Sequence, residues 1–262
     1  MPKPILGICV SETDYASLCD RIQTLTQTHQ SAYIIAANVH VIMTAYWNRN
    51  YRDILAKAAV VTPDGMPLVW GMRWLGARGQ PRVYGPDLML AWCERATRLG
   101  SSIYLYGSTP QTLQRLSAQL LQTFPRLQIA GMHSPPFRAL TPAEEAADIE
   151  RIHRSGAAVV FIGLGCPKQE EWMYRQLGKL EAIMIGVGAA FKFHSGEVTQ
   201  APRWMMTCGL EWLFRLIKEP KRLWSRYLIT NSAFIVLFTQ QMIKQAISNI
   251  SQRFYPFDPL AK

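Results

Sequence analysis

A single aspartate makes the clearest case for catalysis. Asp64 lies in the segment Thr62-Pro-Asp-Gly-Met66, directly after the apolar run Ala59–Thr62. If that run is a buried strand, the carboxylate lies at the carboxyl end of the strand, where ligands of open α/β sheets bind. A carboxylate placed there can act as a general base. Pro-Asp-Gly is also an ordinary turn sequence, in which Asp64 would only cap the following helix.

A second segment has the pattern of a phosphate-binding turn. An apolar run ends at Gly163-Leu-Gly165, and a polar helix then begins near Lys168 and continues with Gln169 and Glu170. Glycines let the backbone approach a ligand closely, and free amides at the start of a helix attract an anion such as a diphosphate. We therefore predict that all five residues face one substrate crevice. The alternative is a βα turn whose polar residues only cap the helix.

Three further turns offer binding candidates. Arg82 precedes a Gly-Pro turn and can bind a phosphate. Tyr106 and Gly107 end another strand-like run, and the Ser-Thr pair that follows can hold a nucleotide or sugar, or cap a helix. Gly188 belongs to a Gly-Val-Gly turn that lacks the full G-x-G-x-x-G spacing. A nucleotide-binding oxidoreductase therefore stays only as an alternative.

Metal and nucleophile motifs are missing from the sequence. There is no D-x-D pair, no P-loop and no G-x-S-x-G elbow. The five histidines and five cysteines show no ligand spacing and no C-x-x-C pair, which fits a reducing cytosol. We expect no bound metal and no cofactor.

The charge of the chain predicts an anionic partner. The formal net charge is +10 and the pI is about 9.6. Basic residues crowd the C-terminal region among tryptophans and other aromatic residues, a mixture that suits a membrane surface better than a DNA groove. No nucleic-acid motif accompanies them, so we expect no nucleic-acid partner. A non-catalytic, membrane-associated scaffold protein remains the second alternative.

The order of predicted elements indicates a Rossmann-like α/β fold. Strand-like runs alternate with helical stretches, which predicts a largely parallel sheet with helices on both faces. We assign residues 1–200 to this catalytic domain and residues 201–262 to a basic, Trp-rich helical appendage. The apolar run Ile5–Val10 is too short for a signal peptide and is predicted to be a strand, so we expect no export.

Two helices are predicted in the appendage, from Pro202 to about Lys218 and from Lys221 to about Ile250. The uncharged stretch Tyr227–Ile243 contains too many polar residues for a membrane-spanning helix. We expect it to lie at the membrane interface, with Trp224 and Phe234 inserted. The alternative is a helix packed on the protein core or in a dimer interface.

Taken together, the motifs resemble the WecG/TagA/CpsF family of bacterial glycosyltransferases. The resemblance runs in order over nearly the whole chain and rests on the following segments: Asn38, Pro63-Asp-Gly65, Arg82-Val-Tyr-Gly85, Gly163-Leu-Gly-Cys-Pro-Lys-Gln-Glu170, Gly186-Val-Gly188, Ala201-Pro-Arg-Trp204 and Gly209-Leu-Glu-Trp-Leu-Phe-Arg215 with Glu219-Pro220. It implies an inverting, metal-independent enzyme that moves a sugar from a UDP-sugar to an undecaprenyl-diphosphate-linked sugar. Such enzymes work peripherally on the inner face of the cytoplasmic membrane, in the synthesis of cell-wall polymers, capsule or exopolysaccharide.

The resemblance also assigns residues. Asp64 matches the proposed catalytic base of the family, and Asn38, Arg82 and Gln169 match substrate-site positions. The basic C-terminal motif of the family contains three arginines in this chain: Arg215, Arg222 and Arg226. The resemblance further implies that the appendage touches the membrane and helps to complete the active site.

Departures from the family pattern concern the donor sugar. Many members have threonine where this chain has Ala36 and aspartate where it has Lys192, and the usual R-A-P reads Gln200-Ala-Pro202. Ser225 stands at a commonly basic position. UDP-glucose therefore competes with UDP-N-acetylmannosamine as the donor. The sequence leaves open whether the chain forms a homo-oligomer.

Overall fold

The computed structural model describes residues 1–254, apart from the side chains of Arg226 and residues 249–254. Its strands are β1 (Lys3–Ile5), β2 (Ile8–Val10), β3 (Ala32–Ala37), β4 (Val60–Pro63), β5 (Ser102–Gly107), β6 (Gln128–His133), β7 (Val159–Gly163) and β8 (Ile183–Gly186). Its helices are α1 (Tyr15–Gln27), α2 (Val39–Trp47), α3 (Arg49–Lys57), α4 (Met66–Trp74), α5 (Gly85–Leu99), α6 (Pro110–Thr123), α7 (Pro142–Ser155), α8 (Lys168–Gln176), α9 (Ala190–His194), α10 (Arg203–Thr207), α11 (Glu211–Lys218) and α12 (Pro220–Phe254).

Six strands form one parallel sheet in the order β4-β3-β8-β7-β5-β6. The central strands are apolar and buried on both faces, as parallel strands covered by helices must be. Residues of α2, α3 and α8 pack on one face, and residues of α1, α5 and α6 pack on the other. The predicted α/β fold with helices on both faces is confirmed. All six strands present their carboxyl ends at the same edge of the sheet.

Three local features differ from the sequence prediction. The stretch Ile5–Val10 is part of a hairpin of β1 and β2, because Leu6 and Gly7 adopt φ values of +51° and +79° and reverse the chain. The helical pattern from about Val41 to Lys57 predicts one helix, but the segment forms two helices, since Asn48 is extended and its side chain caps α3 through the amide of Tyr51. Helix α1 was not predicted.

The C-terminal region also differs from the prediction. The helix expected from Pro202 to Lys218 is interrupted at Gly209, whose φ of +72° ends α10 before α11 begins. Helix α12 packs on α2, and its Phe234 is only 4% exposed, so the expected insertion of Phe234 into a membrane is wrong. Among the described residues, no helix is long and apolar enough to cross a membrane. The division at residue 200 stays a prediction.

Candidate active site

A cavity of about 680 Å³ lies at the carboxyl edge of the sheet. Residues that follow β3, β4, β5, β7 and β8 form its walls, and residues of α11 and α12 cover it. Nine of the predicted site residues line this cavity: Asn38, Asp64, Arg82, Gly163, Gly165, Gln169, Gly188, Arg215 and Arg222. The parallel sheet therefore brings together side chains that are up to 184 positions apart, from residue 38 to residue 222.

Asp64 lies directly after β4, with its side chain 14% exposed. Its carboxylate accepts hydrogen bonds from Nη2 of Arg82 and from the amide of Gly85, both at 3.3 Å. Helix α4 has Gly65 as its N-cap and no side-chain capping bond, so the capping alternative for Asp64 is wrong. Burial raises the pKa of Asp64 to about 6; Arg82 opposes this shift and Glu211 adds to it.

Arg82 connects two carboxylates from distant parts of the chain. Its Nε donates to the backbone carbonyl of Asp64, and its Nη2 lies 2.6 Å from Oε2 of Glu211, the first residue of α11. The Tyr84 hydroxyl donates to Oε1 of Glu211 at 3.2 Å, and the Arg82 guanidinium stacks on the Tyr84 ring at 4.0 Å. The appendage thus contacts the predicted base through one shared arginine.

Gln169 joins the two glycine turns. Its Oε1 accepts from the amides of Gly165 at 3.3 Å and Gly188 at 3.2 Å, and its Nε2 donates to Glu170 at 2.7 Å. The two glycine amides are therefore engaged by a side chain, which differs from the expectation that free amides at this turn receive an anion. At Gly163 the absence of a side chain makes room for Phe191, because a Cβ there would lie 2.6 Å from the Phe191 ring.

Two predicted residues of this segment lie away from the cavity. Lys168 is the exposed first residue of α8, whereas Glu170 is fully buried beneath the turn. Successive helical residues point in directions about 100° apart, so Lys168, Gln169 and Glu170 cannot share one crevice. Burial raises the pKa of the Glu170 carboxyl to about 7.

Tyr106 and Gly107 also lie outside the cavity. Tyr106 is fully buried, stacks on Trp172 at 4.5 Å and donates its hydroxyl to Asp148 at 2.7 Å. Gly107 has a φ of +117°, and a Cβ there would lie 2.8 Å from the backbone of Gly163 on the neighbouring strand. Tyr106 therefore packs against helices α7 and α8, and Gly107 allows β5 and β7 to approach closely.

Asn38 is the N-cap of α2 and lies on the cavity wall. Its Oδ1 accepts from the amides of His40 at 3.0 Å and Val41 at 3.3 Å. A second constraint comes from Gly65, because a Cβ on that glycine would lie 3.4 Å from Asn38. The capping bonds fix the Asn38 amide beside the turn that carries Asp64.

Two arginines of the appendage reach the cavity. The Nε of Arg215 is buried and has no hydrogen-bond partner within the described part of the chain, and its guanidinium lies 5.9 Å from the Phe193 ring. Arg222 is exposed and pairs with Glu219 at 2.6 Å. The side chain of Arg226 lies outside the described residues. The appendage side of the cavity therefore carries two arginines, Arg215 and Arg222, together with the carboxylates of Glu211 and Glu219.

Comparison with known proteins identifies the family. The sequence model of the Glycosyl transferase WecG/TagA/CpsF family matches residues 3–248. The chain belongs to this family. It is also similar to an N-acetylglucosaminyldiphosphoundecaprenol N-acetyl-beta-D-mannosaminyltransferase of Bacillus spizizenii, with 29% identity over 229 residues that cover 86% of each chain.

Membership of the WecG/TagA/CpsF family confirms that the chain is a glycosyltransferase. The oxidoreductase alternative and the non-catalytic scaffold alternative are both wrong for that reason. Among the described residues, no group of three or more His, Cys, Asp or Glu side chains is placed to hold a metal ion.

Glu211 belongs to one of the family motifs in the sequence but was not predicted as a site residue. Its negative charge could have identified it, because Glu211 is the single acidic residue between Arg203 and Lys218, in an otherwise basic segment. Tyr84 and Trp212 line the cavity as well and were not predicted as site residues. Their positions follow from the docking of α11 over the sheet edge, which no local pattern specifies.

Proposed function

We propose that the chain transfers a sugar from a UDP-sugar to an undecaprenyl-diphosphate-linked sugar, with inversion and without a metal ion. The observation that carries this proposal is the Asp64 carboxylate with a raised pKa, in a cavity that Arg215 and Arg222 also line. A base and a cationic site for the leaving group are the two functions that this reaction requires. The Bacillus relative is named for an acceptor in which N-acetylglucosamine is linked to undecaprenol through a diphosphate, and this name supports the proposed lipid-linked acceptor.

Asp64 is the general base of the proposed reaction. It removes the proton from an acceptor hydroxyl while that oxygen forms a bond to the anomeric carbon of the donor. The bond between the anomeric carbon and the UDP oxygen breaks on the opposite face, and UDP leaves with the electron pair. One such displacement inverts the anomeric configuration. A base with a pKa of about 6 is better matched to a hydroxyl than an unperturbed aspartate would be.

The leaving diphosphate is met by Arg215 and Arg222 in this proposal. Both line the cavity, and the unpartnered Nε of Arg215 leaves a buried donor available to an anion. Fixed cations in a partly dry site stabilise developing negative charge without reorganisation. They would supply here what a divalent metal supplies in other transferases.

The donor is proposed to be UDP-N-acetylmannosamine or UDP-glucose. The Bacillus relative is named as an N-acetylmannosaminyltransferase, which favours the first. Ala36 and Lys192 both line the cavity, and Lys192 pairs with Glu197 at 3.1 Å. Many members of the family carry an aspartate at the position of Lys192, so the charge at this cavity-lining position is reversed here, which favours the second donor.

The chain is proposed to act as a peripheral protein on the inner face of the cytoplasmic membrane. Trp224 is 57% exposed and lies close in sequence to the exposed Lys221 and Arg222. Aromatic and basic side chains suit the boundary between lipid and water. Each Lys or Arg near an anionic leaflet contributes roughly 1 kcal/mol, so binding is expected to weaken as salt rises.

The proposed function is tested with a panel of radiolabelled UDP-sugars and a short-chain lipid-diphosphate-linked N-acetylglucosamine as the acceptor. We expect transfer from one donor of the panel, with UDP released in equal amount. Transfer from no UDP-sugar, or transfer to water alone, would contradict the proposal.

Removal of divalent metal is expected to leave turnover largely intact. The cationic side chains Arg215 and Arg222 are proposed to carry the charge of the diphosphate, so no metal bridge is needed. The measurement is the initial rate before and after EDTA treatment. A strong loss with EDTA that Mg²⁺ or Mn²⁺ restores would show that the arginines do not suffice.

The pH profile should report the raised pKa of Asp64. The unprotonated carboxylate is the active base, so kcat/KM should be constant at neutral pH and fall as the pH drops through about 6. For an unperturbed aspartate, the fall would begin near pH ~4 instead. An acid limb near pH ~4 would show that Asp64 is not desolvated in the free enzyme.

A further inference from the structure

Glu211 and Asp64 share one nitrogen of Arg82. Nη2 of Arg82 lies 2.6 Å from Glu211 Oε2 and 3.3 Å from Asp64 Oδ1, so the shorter ion pair is with Glu211. We propose that Glu211 is a positioning residue that draws Arg82 towards the appendage and thereby keeps the Asp64 carboxylate basic. This inference rests on the role of Asp64 proposed above.

The charges around Asp64 support this division of Arg82. The groups that face its carboxylate are Tyr15 of α1, Arg82 and Tyr84 of the segment before α5, and Glu211 of α11. The two tyrosines are uncharged at neutral pH, because burial raises the pKa of Tyr15 to about 12 and that of Tyr84 further. Arg82 and Glu211 are therefore the charges that act on Asp64 in opposite directions.

If Arg82 paired with Asp64 alone, it would make the Asp64 carboxylate a weaker base. An arginine paired with an aspartate lowers the carboxyl pKa by about 1–3 units, which is the wrong direction for a base that must deprotonate a hydroxyl. Glu211 limits this effect in two ways. It takes the closer contact with the guanidinium, and its own negative charge disfavours ionisation of Asp64.

The place of Glu211 in the chain links the base to the appendage. Glu211 begins α11 directly after the turn at Gly209, where an added Cβ would lie 2.6 Å from the ring of Trp70 on α4. The same helix carries Arg215, which reaches the cavity. Docking of α11 therefore strengthens the base in the same step that brings Arg215 to the site.

The test is a ¹³C NMR titration of the Asp64 carboxyl carbon in the full chain, with its signal assigned from the Asp64→Asn spectrum. In Glu211→Gln, we expect the midpoint to fall by about 0.5 unit or more, because the negative charge is lost and Arg82 turns to Asp64. Glu211→Asp keeps the charge and should restore part of the shift. Tyr84→Phe removes one hydrogen bond of Glu211 but no charge, so its midpoint should stay at the wild-type value.

Two results would overturn the inference: an unchanged midpoint in Glu211→Gln, or an equal fall in Tyr84→Phe, which would make the contact merely structural. The acid limb of kcat/KM should move with the NMR midpoint. If Asp64→Asn retains full activity, the proposed base is wrong, while the titration still decides whether Glu211 sets the pKa of Asp64. The two failures are thus distinguishable.

Discussion

Asp64→Asn is expected to lower kcat by at least ~10² while UDP affinity stays within a few-fold of wild type. The substitution keeps the volume of the side chain and removes its ability to accept a proton. The carboxylate accepts hydrogen bonds from Arg82 and Gly85, whereas Arg215 and Arg222 are the residues proposed to hold the diphosphate. Initial rates and calorimetric titration with UDP measure the two quantities separately.

Asp87→Asn is the matched control for that experiment. Asp87 lies in the first turn of α5 and pairs with Arg203 at 2.8 Å, but it does not line the cavity. The same chemical change there should leave turnover close to wild type. An Asp64→Asn protein that loses UDP binding as strongly as it loses turnover would indicate a structural role for Asp64.

Arg215→Ala and Arg222→Ala are expected to reduce turnover by about 10-fold or more, even with a short-chain acceptor that needs no membrane. The expected loss is larger for Arg215, because its Nε is buried and unpartnered in the described part of the chain, whereas Arg222 is exposed and pairs with Glu219. Rates with the short-chain acceptor isolate the chemical role of each arginine from membrane binding.

Lys218→Ala provides the contrast. Lys218 is exposed on α11 and does not line the cavity. Its loss should weaken binding to anionic vesicles and leave turnover of the short-chain acceptor unchanged. Full activity of both arginine variants on that acceptor would limit the appendage to membrane anchoring.

Point substitutions are better than truncation for this question. Truncation after Thr207 would remove the basic helices of the appendage, but it would also remove Phe234 and Phe238, which α12 contributes to the main core. Gln241 of the same helix also accepts from the amide of Leu6 at 2.7 Å. A truncated protein would expose apolar surface at α2 and α4, so its vesicle binding would no longer report on the basic residues.

The sequence predicted the central strands of the parallel sheet well, because buried parallel strands have a simple pattern, whereas the hairpin of β1 and β2 was predicted as one strand. Short apolar runs such as that before Gly163 are followed by glycine turns, and the carboxyl edge of the sheet gathers whatever follows. Asp64 and Gly188 were placed at the cavity on this basis, and Asn38 was placed there by the resemblance to the family. The prediction needed no knowledge of side-chain packing.

The residues that were misplaced depend on helix phase and strand face. Lys168, Gln169 and Glu170 are adjacent in sequence, yet only Gln169 reaches the cavity, because the register of α8 on the sheet decides which way each points. Tyr106 was assigned to the site, but its ring packs on Trp172 of α8, on a face of the sheet and not at its carboxyl edge. A turn motif alone does not specify these orientations.

The contact between Arg82 and Glu211 could not be predicted from local sequence patterns, and the reason is different. The two residues are 129 positions apart, and their pairing needs α11 to fold back over the sheet edge. The break at Gly209 permits that return. The sequence predicted one continuous helix from Pro202 to Lys218, without the break at Gly209, and therefore gave no indication of this contact.

The anomeric configuration of the product shows whether transfer occurs by a single inverting displacement. Purified protein, a UDP-sugar with an α-linked diphosphate and the short-chain lipid-diphosphate acceptor are incubated, and the new glycosidic linkage is assigned by ¹H NMR. We predict a β linkage, formed by one displacement with Asp64 as the base, and we expect its formation to be lost in Asp64→Asn. An α linkage, or undiminished transfer by Asp64→Asn, would contradict it.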